Sequence, residues 1–145
     1  MRPGRLFVYG TLQRSAEHPL GDVLRTHATY IGDGSIRARL YWINDPVEPD
    51  ANFFPGAVPS ARSEDRVHGE LYEVHAPDVL YPILDDFEAT GEGHPEPYEF
   101  LLRPVDVVMA TGDIVSAASY LYTWDISDAV RISSGRFEEK APNVR

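Results

Sequence analysis

The sequence predicts an α+β fold on three observations. Alternating, strand-like runs fill the middle and last third of the chain, two short segments carry apolar stripes at helical spacing, and glycines and prolines are frequent but dispersed as punctuation between them. With 145 residues and ordinary apolar content, the chain has the size of one domain, residues 1–145, able to bury a contiguous core.

The first element is Leu6-Phe7-Val8, a short apolar run rich in aromatic and branched residues that suits a buried strand. Gly10 ends it. Lacking a Cβ, glycine permits a tight turn and a close approach of other groups to the main chain. Free amides in Tyr9-Gly10-Thr11-Leu12 would suit an anion; an ordinary strand end bonded to a neighbouring loop is the alternative reading. Leu20, Val23, Leu24 and His27 then recur at helical spacing and predict a short helix over 20–27. Ala28 to Ile43 reads as two strands joined by a hairpin turn at Gly32-Asp33-Gly34-Ser35. A dinucleotide fingerprint is excluded there, since the third glycine and the following helix are missing.

Asn44 to Asn52, with two prolines and the carboxylates Asp45, Glu48 and Asp50, reads as a loop. Phe53-Phe54 precedes a Pro55-Gly56 turn signal and a short apolar segment. Val67 to His75 is a clear strand, with Val67, Gly69 and Leu71 on one face and His68, Glu70, Tyr72 and Val74 on the other. Pro77 suits the first turn of a helix whose stripe is Val79, Leu80, Ile83, Leu84 and Phe87; Pro82 leaves its start at either proline, and its end falls at Glu88. Ala89 to Pro97 reads as a loop. Tyr98–Ala110 and Ile114–Thr123 alternate as strands around a Thr111-Gly112-Asp113 hairpin signal. The chain from Ser127 onward is ambiguous.

The formal net charge of -10 repels phosphate backbones and anionic lipid surfaces, so neither nucleic acid nor membrane is an expected partner. Small molecules or proteins fit better. The absence of cysteine excludes thiolate nucleophiles, disulfides and cysteine-based zinc sites. No apolar run is long enough to span a bilayer and no signal-peptide core precedes the first strand, which makes a cytoplasmic location the expectation. His18, His27, His68, His75 and His94 lack the spacing of a metal pair, and no serine sits in a glycine-flanked elbow, so neither a metal site nor a serine triad is expected. Asp85-Asp86-Phe87-Glu88 is the more informative cluster. Leu84, Phe87 and Glu88 fall on the inward side of the helix and Asp86 on the outward side. A glutamate at the edge of an apolar pocket has its ionised form disfavoured, which suits proton transfer near neutral pH; a solvated acidic helix end is the plainer alternative.

Four blocks, in order, carry a resemblance: Leu6-Phe7-Val8-Tyr9-Gly10-Thr11-Leu12, Phe54-Pro55-Gly56, Val67-His68-Gly69-Glu70-Leu71-Tyr72-Glu73-Val74 and Leu84-Asp85-Asp86-Phe87-Glu88. In this arrangement the chain resembles the gamma-glutamylcyclotransferase-like family, including its AIG2-like and gamma-glutamylamine cyclotransferase-like members. The likeness runs from Leu6 to Tyr122, with Ser134-Gly135-Arg136-Phe137 as a weak form of a C-terminal motif. It implies a compact mixed β-barrel with a few packed helices and a pocket beside the first turn. It also implies a reaction without a cofactor: the alpha-amine of a gamma-glutamyl compound attacks its own gamma-carbonyl, giving 5-oxoproline and a free amine or amino acid. By motif position Glu88 corresponds to the catalytic carboxylate and Tyr9, Gly10, Thr11 and Leu12 to the substrate-binding turn. Glu70 is either a group that orients the ammonium or a structural strand carboxylate.

The chain departs from the family pattern at Ala89, where glycine is common, at Tyr98-Glu99-Phe100, where a tyrosine is usually followed closely by arginine, and at Phe54, where tyrosine is common. These departures bear on the substrate more than on the fold. They keep open a non-catalytic module that binds a small ligand, and a related reaction that removes a gamma-glutamyl protecting group from a biosynthetic intermediate. Neither the leaving group nor the oligomeric state is specified by the sequence.

Overall fold

The computed structural model describes residues 2–44, 53–91 and 93–137. Their order is β1 (Arg5–Val8), a 3-10 turn (Arg14–Ala16), α1 (Pro19–His27), β2 (Ala28–Asn44), β3 (Phe53–Pro59), β4 (Arg66–Val74), α2 (Pro77–Phe87), β5 (Phe100–Met109), β6 (Ile114–Tyr122) and β7 (Val130–Arg131).

Strands β2, β4, β1, β6 and β5 pair in that sequence, and β5 returns to β2 through Gly34 and Ser35, which closes a five-stranded barrel. The barrel is mixed, because β1 runs parallel to β6 and antiparallel to β4. The upper half of β2 leaves the barrel to pair with β3 and β7.

Strand β1 is covered on both faces, which explains its unbroken apolar run. Phe7 points into the barrel with Ile36, Val67, Leu71, Val107 and Leu121. Leu6 and Val8 point outward into a second core with Leu24 of α1 and Leu80 and Leu84 of α2. Full burial of each such side chain contributes about 1.5–3 kcal/mol. The barrel therefore has one core inside and one beneath its helices, and β1 belongs to both.

Two expected turns are strand instead. Gly32 to Ser35 is not a hairpin; β2 is one strand of 17 residues with a bulge between Tyr30 and Gly32. Gly34 serves a close approach, since a Cβ there would meet Val107 Cγ1 at 2.6 Å and the Val108 carbonyl oxygen at 3.0 Å. Pro55-Gly56 likewise lies inside β3, opposite Trp42 and Tyr41. On that edge strand a proline costs no ladder bond on its open side. The expected loop at 45–52 lies outside the described residues. The 111–113 hairpin forms between β5 and β6, and the 20–27 helix forms one residue longer, from Pro19.

Helix α2 starts at Pro77 and continues through Pro82, whose ring lies on the exposed side. Ile36, Ala38 and Leu40 of β2 are buried while Arg37 and Arg39 alternate outward. The segment after β6 is tied back to the barrel at Gly135, whose carbonyl accepts from the His68 amide at 2.8 Å. Gly135 has φ +70, and a Cβ there would lie 2.0 Å from the Arg66 carbonyl oxygen. Phe137 packs on Trp42 with ring centroids 5.5 Å apart.

Candidate active site

Where β1 ends, Tyr9 to Leu12 folds into a turn that Gln13 holds through both its backbone amide and its side chain. The Gln13 amide donates to the Gly10 carbonyl at 3.1 Å, and Gln13 Nε2 donates to the Tyr9 carbonyl at 2.8 Å. Among the described residues, no hydrogen bond uses the backbone amides of Gly10, Thr11 or Leu12 as donor. These donors are available to a ligand. Gly10 is required for packing as well, because a Cβ would stand 2.6 Å from Cγ of Pro55. The Phe54-Pro55-Gly56 block thus lies directly against the first block.

Tyr9, Gly10, Thr11, Leu12 and Glu88 all line one cavity of about 460 Å³. Glu88 is the C-cap residue of α2, held by a Schellman arrangement: the Thr90 amide donates to the Asp85 carbonyl at 3.0 Å and the Ala89 amide to the Asp86 carbonyl at 3.2 Å. Ala89 takes the left-handed conformation that this motif demands, with φ 56. The residue that departs from the family's glycine keeps glycine's backbone geometry.

Glu88 is half-buried and lines the cavity among apolar and aromatic side chains. Burial pushes its pKa up to about 8, and the Glu99 carboxylate adds to the rise. Burial and then the Glu88 carboxylate hold the Tyr9 phenol in its protonated form; for Tyr120 burial comes first, the hydrogen-bonded Asp85 second and Glu88 after it. Tyr9 Oη donates to the Tyr120 carbonyl at 2.7 Å and accepts from the Ala57 amide at 3.1 Å. That hydroxyl fastens β1, β3 and β6 together beside the cavity.

The remaining wall comes from residues that the sequence did not single out. Tyr120 lines the cavity and donates to Asp85 Oδ1 at 2.7 Å, while Arg2 pairs with the other oxygen of Asp85. Phe53, Phe100 and Glu99 also line it. No local pattern marks these positions, since they converge from β3, β5 and β6; only the Tyr98-Glu99-Phe100 departure was visible. His18 caps α1 by accepting from the Leu20 amide at 3.1 Å, and its ring meets Phe87 at 5.3 Å on the cavity rim. Phe87 is accordingly 39% exposed and not fully inward as the helical stripe implied.

Glu70 is elsewhere. It lines a different groove, with Arg14, His68 and Arg136, and does not face the Glu88 cavity. Its Oε1 accepts from the Arg14 amide at 3.1 Å and from Tyr72 Oη at 2.9 Å, and its Oε2 accepts from Arg14 Nε at 3.1 Å. Arg14 also stacks on Tyr30 at 3.8 Å. This is a structural ion pair that anchors the segment following the turn. Among the described residues no group of three or more His, Asp or Glu side chains is arranged to hold a metal ion.

A small closed barrel with a helix end that brings one carboxyl to a cavity beside unpaired backbone amides defines a class: a barrel protein with an acidic, aromatic-lined cavity of small-molecule size. The family is shown by sequence. The chain belongs to the gamma-glutamyl cyclotransferase, AIG2-like family, whose sequence model matches residues 6–139. No curated protein matches the chain significantly in sequence.

Among solved structures, it is similar to YkqA from Bacillus subtilis, with TM-score 0.64 and 23% identity over 94% of this chain. The chain spans only 40% of YkqA's length. A gamma-glutamyl cyclotransferase matches with TM-score 0.61 and 17% identity, over 84% of this chain and 68% of its own. An AIG2-like protein from Mus musculus matches with TM-score 0.60 and 21% identity, over 99% of this chain and 100% of its own. At these identities the structures establish the shared fold. Among the described residues no helix is long and apolar enough to cross a membrane.

Proposed function

We propose that this chain acts as one domain that cyclises a small gamma-glutamyl compound to 5-oxoproline in the cytoplasm, with Glu88 as general acid and base. The observation that carries this reading is the placement of the Glu88 carboxyl and the 9–12 turn on one cavity of about 460 Å³.

The chemistry follows from what each group offers. The substrate's alpha-nitrogen begins as an ammonium and is not nucleophilic until it loses a proton. Ionised Glu88 accepts that proton, and the freed amine attacks the gamma-carbonyl carbon to form the ring carbon–nitrogen bond. Negative charge then develops on the carbonyl oxygen. The free amides of Gly10, Thr11 and Leu12 are suited either to that oxyanion or to the substrate's alpha-carboxylate. Glu88 next gives its proton to the leaving nitrogen and the original amide carbon–nitrogen bond breaks; the ring nitrogen, which still carries two hydrogens, then releases one through Glu88 to the departing amine, so that neutral 5-oxoproline and an ammonium leave and Glu88 is ionised again. The proton count closes within the site.

A proton affinity raised to about 8 suits both transfers, because the same group must take a proton from an ammonium and return one to a poor leaving group. Ring closure is intramolecular, so holding the glutamyl chain folded supplies a large part of the acceleration. No step calls for a cofactor. The test is release of 5-oxoproline from a panel of gamma-glutamyl amines and amino acids by the wild type and by Glu88→Gln. Binding of panel members with no product from the wild type would favour a ligand-binding module instead.

A further inference from the structure

The formal net charge of -10 conceals a local surplus of the opposite sign. Ile36, Ala38 and Val67 fill the barrel, which turns Arg37 and Arg39 of β2 and Arg66 and His68 of β4 to its outer face. Arg37 and Arg66 are direct partners across the two strands, a like-charge pairing that destabilises a sheet unless something offsets it. The segment carrying Arg131 and Arg136 is bonded along the same strands, because β7 pairs with β2 and the Gly135 carbonyl accepts from the His68 amide.

The carboxylates of this face are already engaged. Asp65 is buried and accepts from Arg39 Nε at 2.7 Å, Arg131 Nη2 at 3.0 Å and the Ser60 hydroxyl at 2.7 Å. Glu64 pairs with Arg62 at 3.1 Å. Arg66 uses Nε and Nη2 on the hydroxyl and carbonyl of Ser35, which carry no charge. Among the described residues, Arg37, Arg66 and Arg136 have no carboxylate within ion-pair distance, so that Asp65 is the one acid bonded to any of the five arginines. The groups themselves register the surplus. Burial and then Arg37 lower the proton affinity of the Arg66 guanidinium, and burial followed by Arg136 and Arg66 pushes the His68 imidazole down.

Arg39, Arg66, Arg131 and His68 line one cavity of about 160 Å³, together with Glu64 and the turn from Ile132 to Gly135. The Gly135 amide closes that turn on the Ile132 carbonyl at 3.0 Å, and among the described residues no hydrogen bond uses the amides of Ser133 or Ser134 as donor. We infer that this cavity is a second ligand site, for a small phosphoryl compound held by the guanidiniums of Arg39, Arg66 and Arg131 and by the amides of Ser133 and Ser134. A dianion suits the pairing of Arg37 with Arg66 better than a monocarboxylate does, since guanidinium forks and turn amides approaching from several sides match a tetrahedral group. The size of the cavity selects a small compound, and the acidic remainder of the chain repels an extended polyanion or an anionic lipid surface. Ser134-Gly135-Arg136-Phe137, which the first cavity leaves without a role, contributes here through the Ser134 amide and the left-handed Gly135 that shapes the turn. The two cavities share no lining residue, so this inference stands apart from the cyclotransfer reading.

Titration of the isotope-labelled full chain with inorganic phosphate at low salt, followed by amide NMR, tests the inference. The Ser133 and Ser134 amide signals should shift saturably with a Kd of about 1 mM or tighter. Acetate at matched ionic strength should act at least about tenfold more weakly. Arg66→Gln should weaken phosphate binding by about tenfold or more. Ser133→Pro removes one amide at a turn position that proline favours and should weaken it by about threefold or more, which keeps the test decisive if Arg66→Gln does not fold. Shifts that fail to saturate, that acetate reproduces equally, that persist unchanged in the folded variants, or that appear only at the Gly10 to Leu12 amides would overturn the inference. Sedimentation with vesicles rich in phosphatidic acid, without any response to free phosphate, would assign this face to a membrane and overturn it as well.

Discussion

Glu88 is the residue on which the proposed chemistry turns, and its environment makes two pH predictions with opposite senses. As a base it works only when ionised, so kcat/KM for 5-oxoproline release should rise as pH climbs through about 8. Stability runs the other way. The folded protein holds the Glu88 proton up to about 8, whereas an unfolded chain releases it near 4.5, so the contribution present below 4.5 is lost as pH rises through 8. Glu88→Gln should therefore melt at a higher temperature than the wild type at pH 9, with the difference vanishing by pH 4. Thermal unfolding at the two pH values checks this. A group buried for structure alone would share the second behaviour and lack the first.

At the scale of elements, the C-terminus of α2 places Glu88, and its cap carries a cost. Ala89 occupies a left-handed position that a Cβ disfavours. Ala89→Gly should stabilise the fold by about 1 kcal/mol, read as a rise in Tm, with Glu88 still delivered to the cavity. The helix itself was legible because Leu80 and Leu84 recur at helical spacing behind an N-terminal Pro77. The strain at Ala89 was not, since alanine gives no sign of a left-handed backbone. Strand β2 was misread for the converse reason. Gly32 and Gly34 carry the composition of a turn, but their small size is used to let β5 approach, which depends on a partner some 70 residues away in the chain. Glycine as a turn former and glycine as a packing gap look identical until the neighbour is known. The Pro55-Gly56 misreading has the same origin, with Gly10 and Tyr122 as the hidden neighbours.

At the scale of the molecule, barrel closure brings the site together. The seam between β2 and β5 rests on the pairs Gly34 with Met109 and Ser35 with Val108. A larger side chain at Gly34 collides with Val107 and the Val108 carbonyl, so Gly34→Val should destabilise the protein by about 1–3 kcal/mol and speed hydrogen exchange at Val108 and Met109. The order of four sequence blocks was enough to name the family's fold and to select Glu88 and the 9–12 turn. Of Glu99 it showed only that Tyr98-Glu99-Phe100 departs from the family pattern, and it gave no sign that Glu99, Tyr120 and Phe53 line the same cavity, because those meet only across the closed barrel. The account's central claim is that Glu88 carries protons in a gamma-glutamyl cyclisation, and quantifying 5-oxoproline from a gamma-glutamyl substrate panel tests it most directly. The wild type should release 5-oxoproline and amine in equal amounts, and Glu88→Gln, folded and still binding substrate, should be slower by about 100-fold or more. Wild-type rates in Glu88→Gln would contradict it.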